Sequence, residues 1–215
     1  MPIPETHGLR PTSPYGRTKV LLEEAMRDYA RAYGLRSWSL RCFNCAGGDP
    51  ELEIGELHEP ETHFIPLVLD AALGYSASVR IFGDDYDTAD GTCLRDYVHV
   101  VDLAEAHISA MERLLGTTNP VAEICNLASG TGISNRGIIE AASRVTGCSV
   151  PYSVEKRRAG DPAVLVADVS VAQERLNWSP RFPDIETIIE HAWNWHRLRR
   201  AHSRSEVNRK GAASA

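Results

Sequence analysis

A helix followed by a strand with no evident neighbour is the feature that most constrains this chain. Between Tyr15 and Tyr33, residues Leu22, Ala25, Met26, Tyr29, Ala30 and Tyr33 recur at three- and four-residue spacing, the period of one helix face. Gly34 suits the left-handed residue that closes a helix. Trp38–Phe43 then alternates like a strand and breaks at Gly47-Gly48. A parallel strand needs a neighbour, and none precedes this one. Residues 1–50 therefore read as the tail of a larger doubly wound sheet, with a small complete α/β domain of unusual strand order as the alternative.

The remaining chain keeps alternating. Residues 1–14 hold four prolines and read as extended, and residues 49–62 form an acidic loop. A helix is expected over Phe64–Leu73, ended by Gly74, then a strand over Val79–Phe82 and a loop with four aspartates over residues 83–91. Tyr97–Val100 leads into a helix capped by Asp102 and running to Leu115. Strands over Ala122–Leu127, Val150–Val154 and Val164–Ala167 enclose a helix from Ser134 to Val145 that Gly147 closes. An amphipathic helix follows over Asp184–Arg200, and residues 201–215 read as a disordered tail. Strands alternating with helices predict the α/β class.

A formal charge of −6 and a pI of about 5.8 oppose non-specific binding to nucleic acid or to an anionic membrane, both of which need a cationic field. No apolar run approaches the roughly 20 residues of a membrane span, and Met1–Glu5 has no signal-peptide character, so the expected location is cytoplasmic. The five cysteines, including the C-x-x-C pair Cys42 and Cys45, read as structural thiols. A second cysteine pair and an H-E-x-x-H are both lacking, so no metal is expected.

Tyr15 and Lys19, four residues apart on a helix, lie on one face. A phenol titrates near 10, too high for a base at neutral pH, and a neighbouring ammonium favours its ionised form. The pair is thus a candidate general base with its tuning cation. A solvated helix face gives the same spacing without chemistry.

The surroundings favour chemistry. Pro11-Thr12-Ser13-Pro14-Tyr15-Gly16-Arg17-Thr18-Lys19 resembles the P-x-x-P-Y-G-x-S/T-K signature of extended short-chain dehydrogenases/reductases, and Arg41-Cys42-Phe43-Asn44 resembles their R-x-F-N strand end. Gly55–Pro66, the long block Ile81–Val100 and Arg157–Pro162 are similar to segments of the NAD-dependent UDP-galactose 4-epimerases within that family. The likeness covers residues 2 to about 198. It implies the C-terminal part of an NAD-binding Rossmann-type sheet over residues 1–50, and a smaller α/β UDP-sugar-binding domain over residues 51–200 with some segments returning to the first.

The same resemblance implies roles. Tyr15 would take the proton of the sugar's 4-hydroxyl while NAD takes the hydride, and the resulting 4-keto sugar would turn over before the hydride returns. Lys19 would also bind the nicotinamide ribose, and Phe43 would border the nicotinamide. Asn44, His63 and Phe64 would contact the sugar-nucleotide, with Arg80 and Phe82 beside its uracil. Arg95 and Arg158 would bind the diphosphate, since an arginine fork bonds phosphate oxygens bidentately. Asp161 would accept from the nucleoside ribose, and Leu165 would border the sugar's 2-position. A homodimer is implied as well.

Two positions depart from the pattern: His63 replaces an asparagine and Leu165 a tyrosine found in several members. The glycine-rich dinucleotide turn expected about 120 residues upstream of Pro2 has no counterpart within residues 1–215. The chain is therefore expected to be a truncated form that neither holds NAD nor epimerises by itself. A dehydratase or decarboxylase of the same fold, or a non-catalytic UDP-sugar-binding remnant, remain the other readings.

Overall fold

The computed structural model describes the backbone of residues 2–212 and the side chains of residues 2–200. Helix α1 spans Pro14–Tyr33, with Ser13 at its N-cap accepting from the Gly16 N–H at 3.1 Å and Gly34 closing it in the left-handed conformation. Strand β1, Arg36–Cys42, pairs in parallel with β6, Val121–Leu127, over its whole length, from Arg36 opposite Val121 to Cys42 opposite Leu127. The expectation that β1 lacks a neighbour is corrected at this edge. Its partner arrives some 80 residues later in the chain.

Short strands build the rest. β2, Asn44–Ala46, runs parallel to β5, Tyr97–His99. β3, Val79–Phe82, runs parallel to β8, Tyr152–Glu155. β4, Leu94–Arg95, lies between an antiparallel β7, Ile133–Ser134, and a parallel β9, Val164–Leu165. The helices are α2, Phe64–Ala72; α3, Val100–Leu115; α4, Asn135–Thr146; and α5, Ile185–Ala212, with a π-helical turn over Ala172–Leu176. The α/β class expected from the alternation holds. Among the described residues, no helix is long and apolar enough to cross a membrane.

Two apolar cores hold these elements. Ile65, Val68 and Leu69 of α2 meet Ile81 of β3, Ile138 of α4 and Ile188, Ile189 and Trp193 of α5. Val98, Leu127, Ala106 and Leu176 pack in a second core with Trp178, backed by Trp38 and Leu40 of β1. Burying each large side chain contributes about 1.5–3 kcal/mol. By contrast Leu22, Tyr29 and Tyr33 of α1 are exposed, so its apolar stripe is covered only in part, at Ala25, Met26 and Ala30, within the described residues.

Several boundaries differ from expectation. α3 begins at Val100, two residues before Asp102, because His99 Nδ1 accepts from the Val101 N–H at 3.1 Å and caps the helix. Asp102 lies inside the helix, fully buried, and its two oxygens accept from the Arg181 and Phe182 N–H groups at 2.9 Å each. The strand expected over Val150–Val154 starts at Tyr152, and that over Val164–Ala167 ends at Leu165. The backbone of α5 continues through residues 201–212, which were expected to be disordered. That stretch is polar but has no proline and several good helix formers. Residues 213–215 lie outside the described residues.

Candidate functional site

The strand period places the first wall of the site. In β3, Val79 and Ile81 are buried in the core, so Arg80 and Phe82 face the opposite way. There they border a cleft of about 370 Å³ that Asn44, His63, Phe64, Arg95, Arg158 and Asp161 also line. Eight of the residues expected to bind substrate are thus brought together. Leu165 is not among them: it sits opposite Arg95 in the β4–β9 pair and does not line the cleft.

The cations are held in different ways. Arg95 is anchored, with Nη2 donating to Asp161 Oδ1 at 2.5 Å and Nη1 donating to the Leu94 and Pro162 carbonyls at 2.7 and 3.0 Å. The Arg158 guanidinium lies 3.8 Å from the centroid of the Phe82 ring, and that of Arg80 lies 5.7 Å from the same ring. Three guanidinium groups against one carboxylate suit an anion carrying about two charges, such as a diphosphate.

A buried carboxylate supports this wall. Asp96, fully buried, accepts from the Ser129 N–H and hydroxyl at 3.1 and 2.7 Å and from the Ala167 N–H at 3.1 Å. Burial raises its pKa despite those bonds. Its backbone carbonyl accepts from Asn44 Nδ2 at 2.8 Å, which fixes Asn44 at the cleft. Asp90 holds the loop before β4, accepting from the Thr92 N–H and hydroxyl at 2.8 Å each and from the Ser134 hydroxyl at 2.5 Å. Burial opposes its charge, but these bonds outweigh it and hold Asp90 below the usual carboxylate range.

Tyr15 and Lys19 form a separate station. Lys19 Nζ lies 5.0 Å from the centroid of the Tyr15 ring, and Tyr15 is 72% exposed. Further along α1, Glu23 grips Arg41 of β1 with two bonds of 2.7 Å. The Lys19 charge bears on the Cys42 thiol, lowering a pKa that burial raises. Helix numbers fall as strand numbers rise, so α1 runs antiparallel to β1 and Tyr15 extends past its carboxyl end. Phe43, whose N–H donates to the Leu127 carbonyl at 3.0 Å, and Asn44 follow there. Open parallel sheets bind ligands outside the carboxyl ends of their strands. Tyr15, Lys19 and Phe43 do not line the cleft itself.

Cys93, Tyr97 and Asn135 also line the cleft and were not anticipated. Cys93 and Tyr97 fall inside the long block Ile81–Val100, and that block was the one sequence signal for them. Asn135, which donates to Cys93 Sγ at 3.3 Å, carries no sequence signal. The five cysteines are all free; Cys45 is exposed, and partial desolvation pushes its thiol up to about 11.

A family model described as GDP-mannose 4,6 dehydratase matches residues 1–191. The chain belongs to that family. Among curated relatives it is similar to the UDP-glucose 4-epimerase of Halalkalibacterium halodurans, 48% identical over 92% of this chain and 58% of that protein. The UDP-glucose 4-epimerase of Streptococcus mutans is 49% identical over 91% of this chain and 58% of its own length. The structure resembles a UDP-glucose 4-epimerase from Brucella ovis in complex with NAD, with a TM-score of 0.86, 46% identity, and coverage of 91% of this chain and 60% of that one. It also resembles the enzyme from Stenotrophomonas maltophila with bound NAD and formylated UDP-arabinopyranose, with a TM-score of 0.87, 38% identity, and coverage of 95% and 60%. The chain spans about three fifths of the length of these relatives.

Proposed function

We propose that this protein works as an NAD-dependent UDP-glucose 4-epimerase, and that residues 1–215 supply its UDP-sugar cleft and its proton-transferring pair. The convergence of Arg80, Arg95, Arg158, Asp161 and Asn44 on one cleft carries this reading. Arg95 and Arg158 take the diphosphate, Asp161 a nucleoside hydroxyl, and the Phe82 ring the flat base beside Arg80. Asn44, His63 and Phe64 bear on the sugar, and Leu165, paired beside Arg95 in the β4–β9 register, borders its 2-position. The division into a cofactor domain remnant over residues 1–50 and a mainly substrate-binding domain over 51–200 belongs to the same proposal. So do a cytoplasmic location and a homodimer, in which a partner would cover part of the exposed α1 stripe.

The residues around Tyr15 fit NAD by their chemistry: an ammonium at Lys19, an exposed phenol at Tyr15 and an aromatic ring at Phe43 gather beyond the carboxyl end of β1. When bound there, the dinucleotide supplies reversible acceptance of a hydride. Tyr15 accepts the proton of the sugar hydroxyl and returns it, and Lys19 supplies the neighbouring positive charge and would bind the nicotinamide ribose. Conversion of UDP-galactose to UDP-glucose, measured with NAD⁺ present, tests the proposal. Residues 1–215 alone are expected to give no turnover; joined to the dinucleotide-binding segment of a relative they should give turnover that depends on Tyr15, and 4,6-dehydration of a sugar-nucleotide without epimerisation overturns the proposal.

A further inference from the structure

The segment between β2 and α2 brings two imidazoles and two carboxylates together beside the cleft. Donor atoms of Glu56, His58, Glu61 and His63 all lie within 4.8 Å of one another. Glu61 Oε1 is the hub: it is 3.7 Å from His58 Nδ1 and 3.4 Å from His63 Nδ1. Glu56 Oε1 closes on the same His63 Nδ1. The two imidazole rings stack with centroids 5.1 Å apart and planes 23° from parallel.

We propose that Glu56, His58, Glu61 and His63 bind a divalent transition metal of the zinc type. Zinc bonds to imidazole nitrogen and carboxylate oxygen are about 2.0–2.2 Å long, so neighbouring ligands in a tetrahedron sit roughly 3.3–3.6 Å apart. The two Glu61–histidine distances are close to that edge already. The pair between Glu56 and His63 has to open, which their exposure permits, since the side chains are 28% and 59% exposed. Two imidazoles with two carboxylates favour zinc, cobalt or nickel over magnesium or calcium, which take oxygen ligands and higher coordination.

The backbone supports Glu61 in this role. Its Oε1 accepts from the Thr62 and His63 N–H groups at 2.7 and 2.8 Å, so the central carboxylate is oriented before any ion arrives. Such support of a ligating carboxylate tightens binding. The site is separate from Tyr15 and Lys19 but shares His63 with the cleft wall. The spacing H-x-x-E-x-H over residues 58–63 is neither a cysteine pair nor H-E-x-x-H.

The test is zinc titration of the chelator-treated protein against a chromogenic zinc indicator, with Co²⁺ loading followed by visible absorption. One Zn²⁺ per chain is expected, undisturbed by excess Mg²⁺, with affinity falling at least about 10-fold in His58→Ala and in Glu61→Gln. The Cys42→Ser/Cys45→Ser double variant should bind as well as the unaltered chain. Co²⁺ in the unaltered protein should give tetrahedral bands without thiolate charge transfer, a readout that needs no variant. No stoichiometric zinc uptake, thiolate bands, unchanged affinity in both His58→Ala and Glu61→Gln, or loss in the cysteine variant would each overturn the proposal.

Discussion

Arg95 and Arg158 reach the cleft on different supports, so their loss should differ in kind. Replacing either by alanine should weaken UDP binding by about 1.5–3 kcal/mol, the range for a hydrogen bond to a charged group. Arg95→Ala also strips Asp161 of its cation and two carbonyls of a donor, and so should lower the melting temperature. Arg158→Ala removes only an exposed stack on Phe82 and should leave melting nearly unchanged. Calorimetry with thermal denaturation checks both; equal melting of the two variants contradicts the distinction. For Tyr15, any preparation that converts UDP-galactose should lose at least about 100-fold in kcat on Tyr15→Phe, the scale of a general base. UDP affinity should stay the same, because Tyr15 is not in the cleft wall. Retained turnover removes Tyr15 from the role.

His99 sets a pH dependence of stability. Burial, and then the charge of His191, push its pKa from 6.5 to about 4, while Asp102 acts the other way. Gly47 leaves room for the ring, since a Cβ there would come within 2.6 Å of it. Between these values the unfolded chain takes up a proton that the folded chain refuses. The stability due to neutral His99 is therefore full above about 6.5 and is lost as pH falls toward about 4. Buried His196, also shifted down, adds in the same direction. Urea midpoints across that window should fall, less steeply in His99→Asn, whose short side chain can still cap α3. An equal slope in the variant would assign the effect elsewhere.

At the scale of elements, the loop before β4 depends on a single turn. Gly91 has φ of +79°, and a Cβ on it would lie 2.0 Å from the Asp84 carbonyl oxygen. Gly91→Ala should therefore cost about 1–3 kcal/mol of stability through strain alone. It should weaken UDP binding too, since Asp90 and Thr92 beside it set β4 and hence Arg95. Unchanged urea midpoint and UDP affinity would show that the loop can rearrange freely. Elements with local signals were legible in sequence: α1 has its three- and four-residue apolar spacing and its Gly34 stop, and β3 its short apolar alternation between turns. Strands of two or three residues such as β4 and β7 were not, because pairing across distant segments creates them. Asp102 looked like a cap by composition; its actual partners, Arg181 and Phe182, lie some 80 residues away.

At the scale of the whole molecule, the cleft was legible because its residues fall in a few long motif blocks, and packing around α2, β3 and α4 folds those blocks onto one face. Leu165 falls outside those blocks and sits beside Arg95 on β9 without lining the cleft. The cluster at residues 56–63 was not legible, because its four side chains meet only after the loop has folded back on itself. The central claim is that this cleft receives a uracil diphosphate sugar, although the family model that matches the chain is described by a guanosine sugar-nucleotide. Calorimetric titration of the protein with UDP and with GDP decides between them. The account predicts one UDP bound per chain, with GDP at least about 10-fold weaker, a difference of about 1.4 kcal/mol or more. GDP binding as tightly as UDP, or UDP binding untouched by the Arg95→Ala and Arg158→Ala substitutions together, would contradict it.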